Sequence, residues 1–217
     1  MSGPKQLVLV GGGGTTSDVL SLIHSINRVS PVYRVLGILD DTLALGTTKY
    51  GVPVLGRLEA GGPGEFGYVD CLGSPGSHVR RETLLRERGF VPEAFESIIH
   101  PSACISHDSV IGPGCLIYPN VVILSGVILG SHVTILANSV LNHDVEVGPF
   151  SILASGVNVS GRVRIGRSAY IGCGASLREG VQIGDGSLVG LGSAVIRNVP
   201  ESAVVAGNPA RQLRFQR

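Results

Sequence analysis

The chain has 217 residues, of which 43% are apolar and only 15% are charged, and it contains 32 Gly but no Trp. Intrinsic disorder is excluded, because so apolar a chain with a net charge of +1 collapses in water. A conventional helical protein is disfavoured, since globular proteins average about 25% charged residues, which coat the outer faces of helices. The composition predicts many turns that join many short apolar elements.

Charge and cysteine content indicate neither a nucleic-acid nor a membrane partner. Lys and Arg number 17 against 16 Asp and Glu, so no basic surface attracts nucleic acid or anionic lipid. The first residues carry no apolar signal segment, and no apolar run approaches the ~20 residues of a membrane span. The four Cys and six His show no metal-ligand spacing. We therefore expect a cytoplasmic protein with reduced thiols and no metal site.

The first 97 residues alternate short apolar runs with amphipathic runs, which is typical of βαβ units. Strands are predicted at 7–10, 35–39, 52–55 and 68–72, and helices over 16–27 and 77–88. This segment is too short for a full doubly wound dinucleotide fold. It predicts an α/β, Rossmann-like βαβ domain over residues 1–97, with one mononucleotide-binding half.

Four consecutive glycines at 11–14 follow the first strand and open the first helix. Backbone N–H groups and the helix dipole can hold a phosphate there. A plain tight turn is the alternative, because the dinucleotide fingerprint needs a third Gly where Thr16 stands. Asp40 and Asp41 end the second strand, where a carboxylate can accept a hydrogen bond from a ribose hydroxyl, although such a pair also suits a solvated turn. Together the two features favour nucleotide binding.

From residue 99 onward every sixth residue is aliphatic, seventeen times without a gap. The series is Ile99, Ile105, Ile111, Ile117, Ile123, Leu129, Ile135, Leu141, Val147, Leu153, Val159, Ile165, Ile171, Leu177, Ile183, Val189 and Val195. A small or β-branched residue follows each of them four places later. Helices repeat every 3.6 residues and ordinary strands every two, so neither explains a period of six.

A three-sided parallel β-helix does explain this period, with one hexapeptide per side and about 18 residues per coil. We predict it over residues 98–200, followed by a C-terminal tail over 201–217. The aliphatic residues point inside, and the Gly that follows several of them is expected to supply the special backbone geometry of the corners. Outward apolar side chains predict burial between subunits. They are Val110, Leu116, Tyr118, Val122, Leu124, Ile128, Leu136 and Val140.

One histidine stands apart from the other five. His143 lies in the sequence Leu-Asn-His-Asp at 141–144, outside the aliphatic and small positions, so its ring should point away from the interior. One coil later the chain has Gly161 and one coil earlier Ser125, so little side-chain bulk flanks the ring. This setting suits an extended ligand and makes His143 a candidate catalytic residue, with a solvated histidine as the alternative.

The other histidines are expected to be solvent-facing. His24 and His78 fall on the predicted helices, and His100, His107 and His132 fall at solenoid corners.

Six motifs match one family across most of the chain. They lie at residues 7–14, 39–41, 72–74, 99–103, 141–144 and 206–211. With its two domains in this order, the chain resembles the bacterial sugar O-acyltransferases and nucleotide-sugar N-acetyltransferases of the PglD/NeuD type, in the hexapeptide-repeat acyltransferase superfamily. The resemblance implies a left-handed parallel β-helix, a handedness that the period of six does not reveal.

The resemblance also implies the chemistry and the sites. Acetyl-CoA would donate its acetyl group to a sugar amine or hydroxyl, with His143 as general base and Asp144 raising its basicity. The nucleotide-sugar substrate would bind at positions that match Gly13, Gly14, Thr15, Asp40, Asp41 and Gly73. Acetyl-CoA would lie between subunits of a homotrimer, near Ile152, Gly161, Cys173 and Gly190.

Two positions depart from the family pattern. The glycine loop usually ends in His, where this chain has Thr15 and Thr16, and position 152, often polar, is Ile. We expect N-acetylation of a nucleotide-linked 4-amino sugar. The alternatives are O-acetylation of a free sugar such as sialic acid, and a non-catalytic scaffold that binds a nucleotide sugar.

Overall fold

The N-terminal part of the chain is a small, mostly parallel sheet with helices. The computed structural model describes residues 3–60 and 66–215. The strands are β1 Lys5–Val10, β2 Tyr33–Leu39, β3 Thr48–Lys49, β4 Val52–Gly56 and β5 Gly67–Asp70. Their order is β3-β4-β2-β1-β5, and all pairs are parallel except β3 with β4. All four predicted strands are confirmed, with ends that differ by one or two residues.

Helix α1 (Gly14–Val29) connects β1 to β2 and matches the predicted helix. Its buried residues Val19, Leu22, Ile23 and Ile26 recur with helical spacing, so one stripe of the helix packs into the core. The segment predicted as a helix over 77–88 is only partly α-helical. It starts with a 3₁₀ turn at His78–Arg80 and continues as α2, Arg81–Glu87. Gly89 follows with φ +78°, a left-handed conformation that ends helices.

Two short 3₁₀ turns complete the N-terminal part, at Leu58–Ala60 and Pro92–Ala94. Strand β1 lies between β2 and the edge strand β5. From β1 the chain first adds strands on the β2 side of the sheet and later adds β5 on the other side of β1. Open α/β sheets bind ligands at such a switch point, beyond the carboxyl ends of the strands.

The second part is a three-sided parallel β-solenoid of two-residue strands that pair 18 residues apart. Face one contains Ile98–Ile99, Leu116–Ile117, Thr134–Ile135, Ile152–Leu153, Tyr170–Ile171, Leu188–Val189 and Ala203–Ala206. Face two contains Cys104–Ile105, Val122–Ile123, Val140–Leu141, Asn158–Val159, Ser176–Leu177 and Ala194–Val195. Face three contains Val110–Ile111, Ile128–Leu129, Glu146–Val147, Arg164–Ile165 and Gln182–Ile183.

The solenoid starts at Ile98–Ile99, directly after the predicted boundary at residue 97. The region expected as a tail over 201–217 contains two strands. Ala203–Ala206 stacks on face one, and Arg211–Phe215 pairs with it antiparallel. The last two residues of that region lie outside the described residues.

Three columns of turns form the solenoid corners. The His143 corner, between faces two and three, contains residues 107–108, 125–126, 143–144, 161–162 and 179–180. The domain corner, between faces three and one, contains 113–114, 131–132, 149–150, 167–168 and 185–186. The third corner contains 101–102, 119–120, 137–138, 155–156, 173–174 and 191–192.

The predicted interior is confirmed. From Ile117 to Val195 every aliphatic residue of the six-residue series is buried, with at most 3% of its surface exposed. Ile99, Ile105 and Ile111 are more exposed, because they belong to the first coil and no earlier coil covers them. One continuous apolar core runs through the solenoid and reaches α1 and β1.

The predicted role of the glycines after the aliphatic residues was wrong. Gly148, for example, does not have a positive φ, and its missing side chain makes room for the next coil: a Cβ there would lie 2.6 Å from the backbone N of Arg167. The left-handed corner positions are different residues, often without glycine. Examples are Asn120, His132, Asn138 and Asp144, with φ between 57° and 62°.

The N-terminal part packs on face one and along the domain corner of its own chain. Leu116 and Tyr118, expected between subunits, are buried under it, whereas Val110 and Ile128 remain exposed. His78 and His132 were expected to face solvent and are 1% exposed, because the same interface covers them. In the described part of the chain, no helix has the length and apolarity needed to cross a membrane.

Candidate active site

His143 and Asp144 form a hydrogen-bonded pair on the His143 corner. The strand Val140–Leu141 ends just before them, and Asp144 takes the left-handed turn conformation with φ +57°. This turn places His143 Nδ1 2.9 Å from Asp144 Oδ2, with both side chains about half exposed. Because a carboxylate only accepts hydrogen bonds, Nδ1 carries the proton and Nε2 is left as the basic nitrogen.

The floor beneath this pair is bare backbone. A Cβ at Gly161 would lie 2.5 Å from His143 Nε2, so the imidazole rests directly on that glycine. One coil before the pair, a Cβ at Gly126 would lie 2.6 Å from Asp144 Oδ1. The expectation that Gly161 flanks the His143 ring is confirmed, and Gly126 flanks the Asp144 carboxylate in the same way.

A second His-Asp sequence lies two coils earlier on the same corner. Asp108 accepts hydrogen bonds from Ser106 Oγ at 2.6 Å and Ser125 Oγ at 2.5 Å. These bonds lower the pKa of Asp108 to about 2. His107 beside it is exposed, and within the described part of the chain the Asp108 carboxylate pairs with these two serines instead of with its neighbouring histidine. The register thus offers a natural control histidine.

The glycine loop lies at the carboxyl end of β1 and leads into α1. Gly13 and Gly14 are exposed, and a Cβ at either would meet nothing within 4 Å. Thr16, which replaces the third glycine of the fingerprint, is buried and donates from Oγ1 to the Gly11 carbonyl at 2.6 Å. Thr16 therefore closes the loop, and half-buried Thr15 stands beside the exposed N–H groups at the start of the helix.

Asp40 and Asp41 both have partners within the chain. Asp40 Oδ2 accepts from Gly12 N at 2.7 Å, and Oδ1 accepts from Thr42 N at 2.8 Å, so this carboxylate orders the glycine loop. Burial raises the pKa of Asp40, but these hydrogen bonds outweigh it and leave the pKa below its ordinary value. Asp41 accepts from Arg88 Nη2 at 2.7 Å. Direct contact of these carboxylates with a ribose stays a prediction.

Gly73 lies in the loop after β5 and touches the solenoid. Its φ is +126°, and a Cβ there would lie 2.9 Å from Ile152 Cδ1. Ile152 is only 6% exposed. The residue expected beside acetyl-CoA is therefore covered by the loop expected to bind the nucleotide sugar, within one chain.

A buried charged triad that the sequence analysis did not predict joins β5, α2 and the solenoid. Asp70 Oδ2 accepts from Arg81 Nε at 2.8 Å and from His132 Nδ1 at 2.8 Å. Its other oxygen accepts from Leu72 N at 3.0 Å, which fixes the start of the Gly73 loop. Burial raises the pKa of Asp70, but Arg81 and His132 more than offset it, so the carboxylate stays ionised.

Aromatic rings surround the triad. His132 stacks on Phe150 with ring centroids 4.5 Å apart and an interplanar angle of 13°, and it meets Phe95 edge-on at 4.6 Å. The only signal for this cluster was the aromatic Phe150 at a corner position one coil after His132. Aromatic side chains at solenoid corners cannot fit inside the prism, so they indicate a covering element.

Cys173 and Gly190 lie at and just before the third corner, away from His143. Cys173 is exposed, and a Cβ at Gly190 would lie 2.8 Å from the Ala206 Cβ. Within one chain the predicted residues thus form separate groups: His143, Asp144 and Gly161 on one corner, the glycine and Asp loops at the sheet edge, and these two elsewhere. Their role in binding acetyl-CoA stays a prediction.

All four cysteines are free, and burial raises the pKa of Cys115 to about 11. Over residues 3–60 and 66–215, no three His, Cys, Asp or Glu side chains gather as metal ligands would.

Comparison with known proteins gives matches to solved structures. No protein-family model and no curated protein matches the chain. The acetyltransferase domain of PglB from Neisseria gonorrhoeae, solved with acetyl coenzyme A, is 28% identical with a TM-score of 0.81, over 97% of this chain and all of that one. A histidine-to-asparagine mutant of perosamine N-acetyltransferase from Caulobacter crescentus, solved with CoA and GDP-perosamine, is 27% identical with a TM-score of 0.82, over 98% and 97% of the two chains.

WeeI from Acinetobacter baumannii is 27% identical with a TM-score of 0.80, over 96% of this chain and all of that one. These likenesses extend over both parts of the molecule. The expected resemblance to nucleotide-sugar N-acetyltransferases of the hexapeptide-repeat superfamily is confirmed.

Proposed function

We propose that this chain, an acyltransferase of the hexapeptide-repeat superfamily, transfers the acetyl group of acetyl-CoA to the amine of a nucleotide-linked amino sugar. The observation that carries the proposal is the His143–Asp144 pair on its glycine floor, in a chain that resembles acetyltransferases over its whole length. Support for the substrate class comes from the perosamine enzyme, whose complex holds CoA and GDP-perosamine.

In this proposal His143 acts as the general base. Its Nε2 takes a proton from the sugar amine as the nitrogen attacks the thioester carbonyl carbon. The C–N bond forms, the C–S bond breaks, and the proton passes to the CoA thiolate. Asp144 accepts the Nδ1 hydrogen bond and stabilises the imidazolium that forms in between, as the carboxylate of a catalytic triad does.

The nucleotide part of the acceptor is assigned to the carboxyl edge of the N-terminal sheet. The exposed N–H groups at Gly13, Gly14 and Thr15 suit a phosphate, and the loops that carry Asp40, Asp41 and Gly73 frame the same edge. For the donor, Gly161, Ile152, Cys173 and Gly190 remain the proposed neighbours of acetyl-CoA.

A homotrimer in the cytoplasm completes the proposal. His143 lies on a corner that the N-terminal part of its own chain does not cover, since that part contacts face one and the domain corner. A neighbouring subunit would supply the nucleotide site facing His143, and exposed Val110 and Ile128 suit an interface. Free cysteines are consistent with a reducing compartment.

A thiol-release assay tests the function. The protein is mixed with acetyl-CoA and a panel of UDP-, GDP- and dTDP-linked amino sugars, with free sialic acid as a comparison. We expect turnover with one of the nucleotide-linked amines, and His143→Ala should lower kcat/KM by about 10²- to 10⁴-fold, the usual contribution of a general base.

His107→Ala is the matched control, because His107 occupies the same corner two coils earlier and should leave turnover near wild type. A folded His143→Ala protein with wild-type turnover would contradict the assignment of the base. Turnover of free sialic acid alone would contradict the assignment of the substrate.

A further inference from the structure

Arg81 has hydrogen-bond donors that the protein does not use. The side chain is 1% exposed, and its Nε donates a hydrogen bond to Asp70 Oδ2. Among the residues that the structure describes, Nη1 and Nη2 are buried and find no hydrogen-bond partner. Buried polar groups nearly always have partners, so a guanidinium with its whole Nη edge unpaired requires an explanation.

Asp70 cannot supply the missing partner. Arginine usually pairs with a carboxylate through two parallel hydrogen bonds, one to each oxygen. Here Oδ1 of Asp70 is turned to Leu72 N, and Oδ2 already accepts from both Arg81 Nε and His132 Nδ1. The triad therefore holds the guanidinium rigidly by one nitrogen and leaves the other two for a different acceptor.

The unpaired edge lies beside a glycine- and serine-rich loop. A Cβ at Gly73 would lie 3.8 Å from Arg81 Nη1, so the backbone of the Gly73 loop lies directly against that nitrogen. Gly73 and Arg81 line a common cavity of about 500 Å³, together with Gly76, Ser77 and exposed Arg80. Glu87 also lines it, as the one carboxylate.

The chemistry of this lining favours an oxyanion with several acceptor oxygens. Arginine matches phosphate oxygens with paired N–H groups, and its planar fork makes it common in phosphate sites. The loop follows β5 at the carboxyl edge of the sheet, next to the switch point between β1 and β5 where ligands of such sheets bind. Both substrates of the proposed reaction carry a diphosphate, so the ligand chemistry is present in the reaction itself.

We propose that the Nη edge of Arg81 binds a diphosphate at the Gly73 loop. The proposal rests on the proposed function for the identity of the ligand, and it names Arg81 as a binding residue of that site. Because Nη1 and Nη2 are buried in this structure, the proposal requires the Gly73 loop to move aside when the diphosphate binds.

Calorimetric titration of the full chain tests this, with UDP, GDP and CoA as the probes. The main variant is Arg81→Lys, which keeps a cation for Asp70 but has no second nitrogen edge. Arg86→Lys is the matched control, since Arg86 is on the same helix, exposed, and outside the cavity lining. We expect Arg81→Lys to weaken UDP or GDP binding at least tenfold, while Arg86→Lys changes nothing.

The probes also separate the two sources of a diphosphate. A loss confined to UDP or GDP assigns the site to the acceptor, and a loss confined to CoA assigns it to the donor. Unchanged affinity for all three in a folded Arg81→Lys protein overturns the proposal, as does a wild-type chain that binds none of them.

Should Arg81→Lys fail to fold, the wild-type protein labelled with ¹⁵N-arginine gives the answer. The buried guanidinium signals of Arg81 should shift when the diphosphate is added, and signals that stay fixed at saturation overturn the proposal. These titrations require no turnover, so their failure is separate from failure of the thiol-release assay.

Discussion

The imidazole of His143 lies directly on the backbone of Gly161, so its position depends on the absence of a Cβ from that residue. The backbone of Gly161 does not have a positive φ, and alanine is therefore compatible with it. A single methyl group at this position tests the position of His143 without removing the imidazole.

Gly161→Ala should lower kcat/KM at least tenfold. A Cβ at this position would lie 2.5 Å from His143 Nε2 and 2.6 Å from Cε1, so the imidazole would have to move away from the place where the sugar amine is proposed to react. The measurement is steady-state thiol release, with the melting temperature as the check on folding. Wild-type turnover with a normal melting temperature would show that the ring position seen here is not the reactive one.

At this scale the sequence predicted the exposed position of His143 well and the buried polar residues poorly. The place of His143 and its neighbour Gly161 followed from counting 18 residues along the chain. His132 obeys the same count and was taken as solvated, because the register specifies a corner but not what covers it. Only tertiary packing brings Asp70 and Arg81, far away in sequence, to that corner.

Among the elements, the solenoid coils have two kinds of glycine with different physical tasks. Gly148 lets the next coil approach, whereas Gly174 has φ +68° at a turn, where a Cβ would meet nothing within 4 Å. The same turn position is occupied by Asn138 and Asn120 in earlier coils, both with positive φ. The two kinds should therefore respond oppositely to substitution.

Gly148→Ala should destabilise the protein by about 3 kcal/mol, since the clash is with backbone atoms that cannot rotate away. Gly174→Asn is the paired control and should stay within about 0.5 kcal/mol of wild type, because asparagine accepts the left-handed turn. Urea unfolding followed by circular dichroism measures both. Equal effects of the two substitutions would refute the distinction.

The sequence predicted the solenoid, but it did not separate the glycines that let the next coil approach from the glycines that take a left-handed turn. A period of six shows which residues face the interior, because burial demands apolar side chains at each repeat. It does not show which turn residue has a positive φ, since non-glycine residues as different as Asn120, Phe150 and Arg162 fill that place as often as glycine does here. The shortened α2 was missed for a related reason: the first turn is 3₁₀ and follows a loop rich in Gly and Pro.

In the whole molecule, His143 and the proposed nucleotide site lie far apart around the solenoid. His143 is on its own corner, and the N-terminal part with the proposed nucleotide site packs elsewhere on the solenoid. Residues of the N-terminal part contact the domain corner through His132 and face one through Ile152 and Tyr170. His143 is on the next corner around. Under the proposed function, a working site combines His143 of one subunit with the glycine loop of another.

Mixing two inactive variants tests this arrangement. His143→Ala lacks the base, and Asp40→Ala lacks the carboxylate that orders the glycine loop through Gly12 N. Subunits unfolded together and refolded as mixed oligomers should regain turnover, because some interfaces then pair an intact base with an intact loop. Mixed oligomers that stay inactive, although each variant assembles, would mean that both parts of a site come from one chain.

The 18-residue repeat also determines how the solenoid responds to an insertion. Eighteen residues inserted ahead of His143 would move the imidazole by one coil along the solenoid and leave it on the same corner. Six inserted residues would move it to a neighbouring corner. Evolution can therefore lengthen such a protein by whole coils and keep His143 on the same corner of the solenoid. An insertion of six or twelve residues that joins the coil would move His143 to a different corner, away from the side where the proposed partner subunit would bring the substrate.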